Sequence, residues 1–286
     1  MARRNELVRI RRGLYLPASR WTELEPWEQF RVKIQAVNDA ARKPPLFCGQ
    51  SAASVWDLPL IEVPEEVETL VMPGPGGGRS RNGIRRRLAV PDECDVVMLH
   101  GLRVTSMEQT IGNLAAMLPL TGSLPAADRA ASFWRQSGRS PEEFGERVLS
   151  RLRGLSNVKQ RRVQRILAAA DPASGSPGES LSRAVMILAG LPKPELQAAH
   201  RDAQGLIGYS DFYWRDHGVV GEFDGWAKYS RGEFLAGRSP EDVLKAEKIR
   251  EDRLRATGLT VVRWMWPAAK DGAELLSKLR NAGITP

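Results

Sequence analysis

Cysteine and histidine are scarce in this 286-residue chain, which has 2 cysteines, Cys48 and Cys94, and 3 histidines, His100, His200 and His217. None of the five belongs to a Cys-x-x-Cys or Cys/His cluster, so a disulfide framework and a structural zinc of ordinary ligand spacing are excluded. Long apolar runs are also missing. No stretch approaches the roughly 20 residues of a membrane-spanning helix. No apolar segment follows the charged start MARRNELVRIRRG either, so a cytoplasmic protein with no membrane partner is expected. The glycine-rich run Pro73–Gly78 lacks the Gly-Lys-Ser/Thr ending of a P-loop and reads as a hairpin tip rather than a phosphate cradle.

What remains is an ordinary globular composition, 42% hydrophobic and 27% charged, in a chain long enough for two domains. Its charge is unevenly placed. Residues 171–286 hold 16 Lys/Arg against 16 Asp/Glu, so the net charge of +8 lies in residues 1–170. Arg9, Arg11 and Arg12 belong to a basic N-terminus; Arg85, Arg86 and Arg87 follow the glycine-rich run; Arg161 and Arg162 lie with Lys159 and Arg165 on a predicted helix. Three such clusters in one region favour a polyanionic partner, here DNA, because counterions released from nucleic acid drive binding to clustered Lys and Arg. Solvated surface charge is the plainer reading of any one of them.

The hydrophobic pattern divides the chain at Asp171–Gly178, where small residues and two prolines form a linker. Before it, residues 9–16 alternate in the manner of a strand, Arg12-Gly13 followed by Leu14–Pro17 resembles the wing of a winged helix, and a helix over 26–42 carries Trp27, Phe30, Ile34 and Val37 at core spacing. A short helix over 49–58, strands over 67–72, 84–90 and 95–104, and helices over 106–118, 125–136, 141–152 and 156–170 follow. After the linker come a helix at 179–190, strands near 195–200, 206–214 and 218–224, a charged helix at 240–257, a strand at 259–264 and a helix near 268–282. This is a mixed α+β and α/β pattern: a basic, wing-like and helical region, 1–170, then a mixed sheet flanked by helices, 171–286.

The chemistry sits in the second region. Asp211, Glu222 and Asp224 interrupt apolar strand residues, where an acid is costly unless it is paired or bound to metal. Hard carboxylate oxygens at strand ends suit Mg²⁺ or Mn²⁺, and a nearby cation would offset phosphate charge. Lys228, Lys245, Lys248 and Arg250 are the candidate cations, and Glu247 shares a helical face with Arg250. Lys248 is also a candidate DNA contact. For most charges of EDVLKAEKIREDRLR a surface ion-pair helix is the plainer reading. Trp214, Trp226, Trp264 and Trp266 are read as core, with base stacking as the alternative.

The order Glu179 on a first helix, Asp211 at a strand end, Glu222-Phe223-Asp224-Gly225 after a short turn, then Glu247-Lys248-Ile249-Arg250-Glu251-Asp252 and Gly258–Arg263, resembles the PD-(D/E)XK restriction-endonuclease-like fold. Its details resemble the branch related to very short patch repair endonucleases, over about residues 178–270. That resemblance implies a metal-dependent DNA endonuclease acting in defence or repair. Asp211, Glu222 and the carbonyl of Phe223 would hold Mg²⁺ or Mn²⁺, with Glu179 reaching in from its helix. The superfamily usually has Lys two residues after the second acid, where this chain has Asp224. The first region resembles the AbiEi-like antitoxins of actinobacteria in Arg12-Gly13-Leu14-Tyr15, Ser51-Ala52-Ala53, Leu58-Pro59-Leu60 and Gly101–Ser106, but lacks the helix-turn-helix that should precede the wing. Two alternatives stand beside the nuclease. One is an inactive nuclease-fold regulator or antitoxin that binds DNA. The other is an interaction module for a protein encoded nearby, docked on apolar helices at 106–136.

Overall fold

A computed structural model describes residues 6–72, 80–88, 95–152, 155–225 and 240–286. Two compact units form, Met1–Ala170 and Asp171–Pro286. The first opens with a two-stranded antiparallel hairpin, β1 (Leu7–Arg11) and β2 (Leu14–Pro17), turned at Gly13 with φ +82°. It stands apart as its own sheet. After α1 (Ala18–Glu23), helix α2 (Pro26–Asp39) starts at a Glu25/Glu28 capping box with Pro at its first position. Phe30, Ile34 and Val37 face the core, but Trp27 is 47% exposed. Trp27 is therefore not part of the core stripe read from the sequence.

A five-stranded sheet of order β5-β4-β3-β7-β6 follows, with α3 (Gly49–Val55) entering directly from β3 (Leu46–Phe47). Strands β4 (Val67–Val71) and β5 (Ile84–Leu88) pair in parallel. Residues 73–78, read as a hairpin tip, lie outside the described residues. The stretch read as one strand over 95–104 is a hairpin of β6 (Val96–Leu99) and β7 (Leu102–Thr105). His100 and Gly101, at φ +51° and +77°, make its two-residue turn.

Four helices complete this unit: α4 (Met107–Met117), α5 (Leu120–Gln136), α6 (Pro141–Ser150) and α7 (Asn157–Ala169). Helix α5 begins five residues before the start inferred at Pro125, which lies inside it. Ile111, Leu114, Leu124, Ala126, Ala127 and Ala130 of α4 and α5 are buried within the unit. The apolar side chains of these six residues are spent on the core. No helix among the described residues is long and apolar enough to cross a membrane.

The second unit runs α8 (Pro177–Leu188), β8 (Glu195–Asp202), β9 (Gly205–Trp214), β10 (Val219–Asp224), α9 (Pro240–Ala256), β11 (Thr260–Met265), α10 (Trp266–Asp271) and α11 (Ala273–Asn281). Its sheet order is β11-β10-β9-β8; the first three strands form an antiparallel meander and β11 joins β10 in parallel after the α9 crossover. Gly272, at φ +69°, splits the last predicted helix into α10 and α11.

Helix α8 covers one face of this sheet. Phe212, Trp214 and Trp264 are buried there, and burying Phe212 is worth roughly 2 kcal/mol. The indole N–H groups of Trp214 and Trp264 donate to the Pro192 carbonyl and to Ser182 Oγ. That decides for core over base stacking at both. The other face is covered by α9 through a cluster of Ile207, Leu254 and Val261.

Candidate functional site

The pairing of β9 with β10 sets Gly221 opposite Phe212. Glu222 and Asp211 are the next residues of the two strands, just past the end of that ladder. Side chains alternate between the two faces of a strand. Phe223 turns to α8, where a Cβ on Gly178 would sit 2.0 Å from its ring. Glu222 turns instead to α9. So the end of the stretch read as a linker builds the site: Ser176 caps α8, accepting from the Glu179 N–H at 3.2 Å, and Gly178 lets the helix approach the sheet.

Asp211 is half-buried, and its Oδ2 accepts from the Phe223 N–H at 2.7 Å. Glu179 is buried, and its Oε2 accepts from the Gly175 N–H at 2.8 Å. Both acids face one residue that the sequence reading missed. The Gln197 amide nitrogen donates to Glu179 Oε2 at 3.2 Å and to Asp211 Oδ1 at 3.4 Å. Gln197 lies inside β8 with φ +50°, a left-handed conformation that costs a non-glycine residue roughly 1–3 kcal/mol. No sequence pattern signals that backbone.

Glu222 is paired on α9. Arg250 donates to its Oε1 at 3.1 Å and to its Oε2 at 2.6 Å, a bidentate clamp, and also to Glu247 at 3.0 Å. A second arginine, Arg263, stands at the register partner of Glu222 in β11. It pairs with Glu247 and lies 3.6 Å from Asp224, 3.3 Å from Glu251 and 3.9 Å from Glu222. Arg263 was absent from the expected site residues, although a single charge within Val261-Val262-Arg263-Trp264 was a legible clue.

These contacts sort the candidate cations. Arg250 reaches the site, and Lys245 and Lys248 are exposed on α9. Lys228, like Trp226, lies outside the described residues. Burial pushes the Glu222 carboxyl above the usual glutamate range, and Asp211 adds to this, while Arg250 opposes it. For Glu247 burial acts upward too, but the bonds from Arg263 and Arg250 outweigh it and hold the carboxyl below its ordinary value. Burial works against the charge on Arg250, yet Glu222 and Glu247 keep it firmly protonated. His200 is packed against Ser210 at 2.8 Å, and burial lowers its pKa.

Whether these residues suit a divalent ion can be judged from their donors. Asp211, Glu222 and the Phe223 carbonyl offer hard oxygens, and a cation there would relieve the repulsion between the two acids. Their chemistry fits Mg²⁺ or Mn²⁺. Among the described residues, however, no group of three or more His, Cys, Asp or Glu side chains gathers as a ready metal cage. Arg250 occupies both oxygens of Glu222.

The expected DNA contacts divide by their partners. Arg85 pairs with Glu66 at 2.8 Å and Arg87 with buried Glu68. Arg11 donates to the Asn82 carbonyl at 3.3 Å, and the Arg86 N–H donates to Ser80 Oγ at 3.0 Å. Arg9 and Arg12 are exposed on the hairpin, and Arg161 on α7, where Arg162 is half-exposed. Helix α7 has no acidic residue of its own. No family model matches the chain, and no curated protein matches it significantly.

Proposed function

We propose that the second unit is a PD-(D/E)XK, restriction-endonuclease-like domain that hydrolyses DNA phosphodiester bonds with Mg²⁺ or Mn²⁺. The observation that carries this reading is the placement of Asp211 and Glu222 on adjacent antiparallel strands, with Asp211 oriented by the Phe223 N–H. The element order α8-β8-β9-β10-α9-β11, with only the last pair of strands parallel, supports it. Asp211, Glu222 and the Phe223 carbonyl would hold the ion. When bound, such an ion supplies a water of lowered pKa and polarises the scissile phosphate.

The remaining work falls to this chain's own side chains. Arg250 and Arg263 provide the positive charge that Asp224 cannot, from α9 and β11 instead of from the strand of Glu222. A guanidinium fork that clamps a carboxylate also matches a phosphate, so Arg250 can exchange Glu222 for the DNA backbone. Glu247 pairs with both arginines and holds them toward the sheet. The exposed arginines of α7 and of the hairpin, unpaired among the described residues, supply the surface for DNA phosphates.

The test is cleavage of supercoiled, single-stranded and mismatched DNA by the purified chain with Mg²⁺ or Mn²⁺, alongside Asp211→Ala. Cutting by the wild type and none by the variant supports the reading; no metal-dependent cutting of any substrate overturns it. A second reading, an inactive nuclease-fold DNA-binding regulator or antitoxin, is favoured by the Arg250 clamp that fills both oxygens of Glu222. It predicts salt-sensitive DNA binding without cleavage.

A further inference from the structure

We propose that Gln197 is a positioning residue of the metal centre, whose single amide nitrogen ties Glu179 on α8 to Asp211 on β9. This inference rests on the reading that Asp211 and Glu222 hold a divalent ion. Two acids brought close on separate elements repel each other, and an amide NH₂, with two donors and no charge, can bond both. Gln197 does so at 3.2 and 3.4 Å. Because both neighbours are carboxylates, the nitrogen and not the oxygen of the amide must face them.

The backbone gives the independent argument. A left-handed residue inside a strand is ordinarily glycine, as Gly208 is at φ +149° on the neighbouring strand. Here the position is glutamine at φ +50°, with pairing on either side of it, Leu196 to Phe212 and Ala198 to Ser210. The side chain has therefore outweighed the backbone preference. Among the described residues its hydrogen bonds go to Glu179 and Asp211 and nowhere else. Gly175 keeps the space open, since a Cβ there would lie 3.2 Å from Glu179 Oε2 and 3.3 Å from the Gln197 amide. With Phe223 N–H on the other oxygen of Asp211, the amide fixes how that carboxylate is presented to an ion.

Partners that orient metal ligands typically change metal affinity about 10–100-fold when removed. Two variants separate this role from folding. Gln197→Gly deletes the amide but also relieves the left-handed strain, so its unfolding temperature should fall less than that of Gln197→Leu. Gln197→Leu keeps the bulk without the donors. Mn²⁺ binding to the full chain, read by calorimetry or by electron paramagnetic resonance without DNA, should weaken about 10-fold or more in both. Wild-type Mn²⁺ affinity in both variants would overturn the proposal and leave the metal site standing. No Mn²⁺ binding by the wild type would overturn both. Mn²⁺ binding that depends on Gln197 in a chain that cuts no DNA would support the positioning role and remove only the nuclease.

Discussion

Replacing Arg250 with methionine removes the guanidinium that clamps both oxygens of Glu222. Only 21% of the Arg250 side chain and 9% of Glu222 are exposed, and the next cation, Arg263, is 3.9 Å from Glu222. Breaking a buried pair from one side costs about 3–5 kcal/mol, and the lower end applies because Arg263 stays and Glu222 can take up a proton. For a unit of this size about 3 kcal/mol lowers the unfolding midpoint by roughly 12 °C. The sign of the pH dependence follows from Glu222. Its pKa is raised by burial in the folded state, so between its ordinary value and the raised one the folded state binds more protons than the unfolded state. Stability falls as pH rises through that window, and removing Arg250 widens the window upward. The Arg250→Met deficit should therefore be small near pH 5 and largest near pH 8. Mn²⁺ should restore the variant more than it helps the wild type, since it no longer competes with the clamp; an ion at 100 times its dissociation constant adds about 2.7 kcal/mol. Thermal unfolding at both pH values, with and without Mn²⁺, tests this. A midpoint within about 2 °C of wild type at every pH would refute the reasoning, since the clamp would then carry none of the predicted roughly 12 °C.

Gly178→Ala should destabilise the chain by about 1–3 kcal/mol and lower kcat/KM, because its Cβ would lie 2.0 Å from the Phe223 ring. Gly145→Ala, in α6 with nothing within 4 Å, should instead stabilise by up to about 1 kcal/mol; urea denaturation reads both. Mn²⁺ affinity without DNA should weaken as pH falls, beginning above the ordinary glutamate value of 4.5, since the pKa of the free Glu222 carboxyl is raised by burial and the group must lose its proton to hold the ion. Calorimetric titration at several pH values checks this. For DNA binding without metal, Arg161→Ala with Arg162→Ala should flatten the dependence of log K on log salt by about 2, whereas Arg85→Ala with Arg87→Ala should change it less because both are tied to Glu66 and Glu68. Fluorescence anisotropy between low and moderate salt measures both slopes.

The elements of the second unit were legible because their patterns are local. Period-two runs bounded by glycine and proline gave the strands, and acids interrupting those runs exposed Asp211 and Glu222. What was missed depends on chain segments far apart in sequence. Arg263 acquires its role only when β11 pairs in parallel with β10 and brings it beside Glu222, Asp224 and Glu247. Gln197 depends on a backbone angle that side-chain chemistry does not announce. In the first unit, His100-Gly101 is a weaker turn signal than Asn-Gly, so a hairpin looked like one strand. Trp27 fits the helical spacing of the α2 core stripe and yet is 47% exposed, because spacing identifies a face but not how far the neighbouring elements cover it.

The most direct test of the central claim is anomalous scattering from a crystal of the full chain soaked in Mn²⁺. The proposed site predicts a manganese peak bonded to both Asp211 and Glu222, with Arg250 drawn off at least one oxygen of Glu222. Saturating Mn²⁺ that leaves no peak there, with the Arg250 clamp intact, would contradict it.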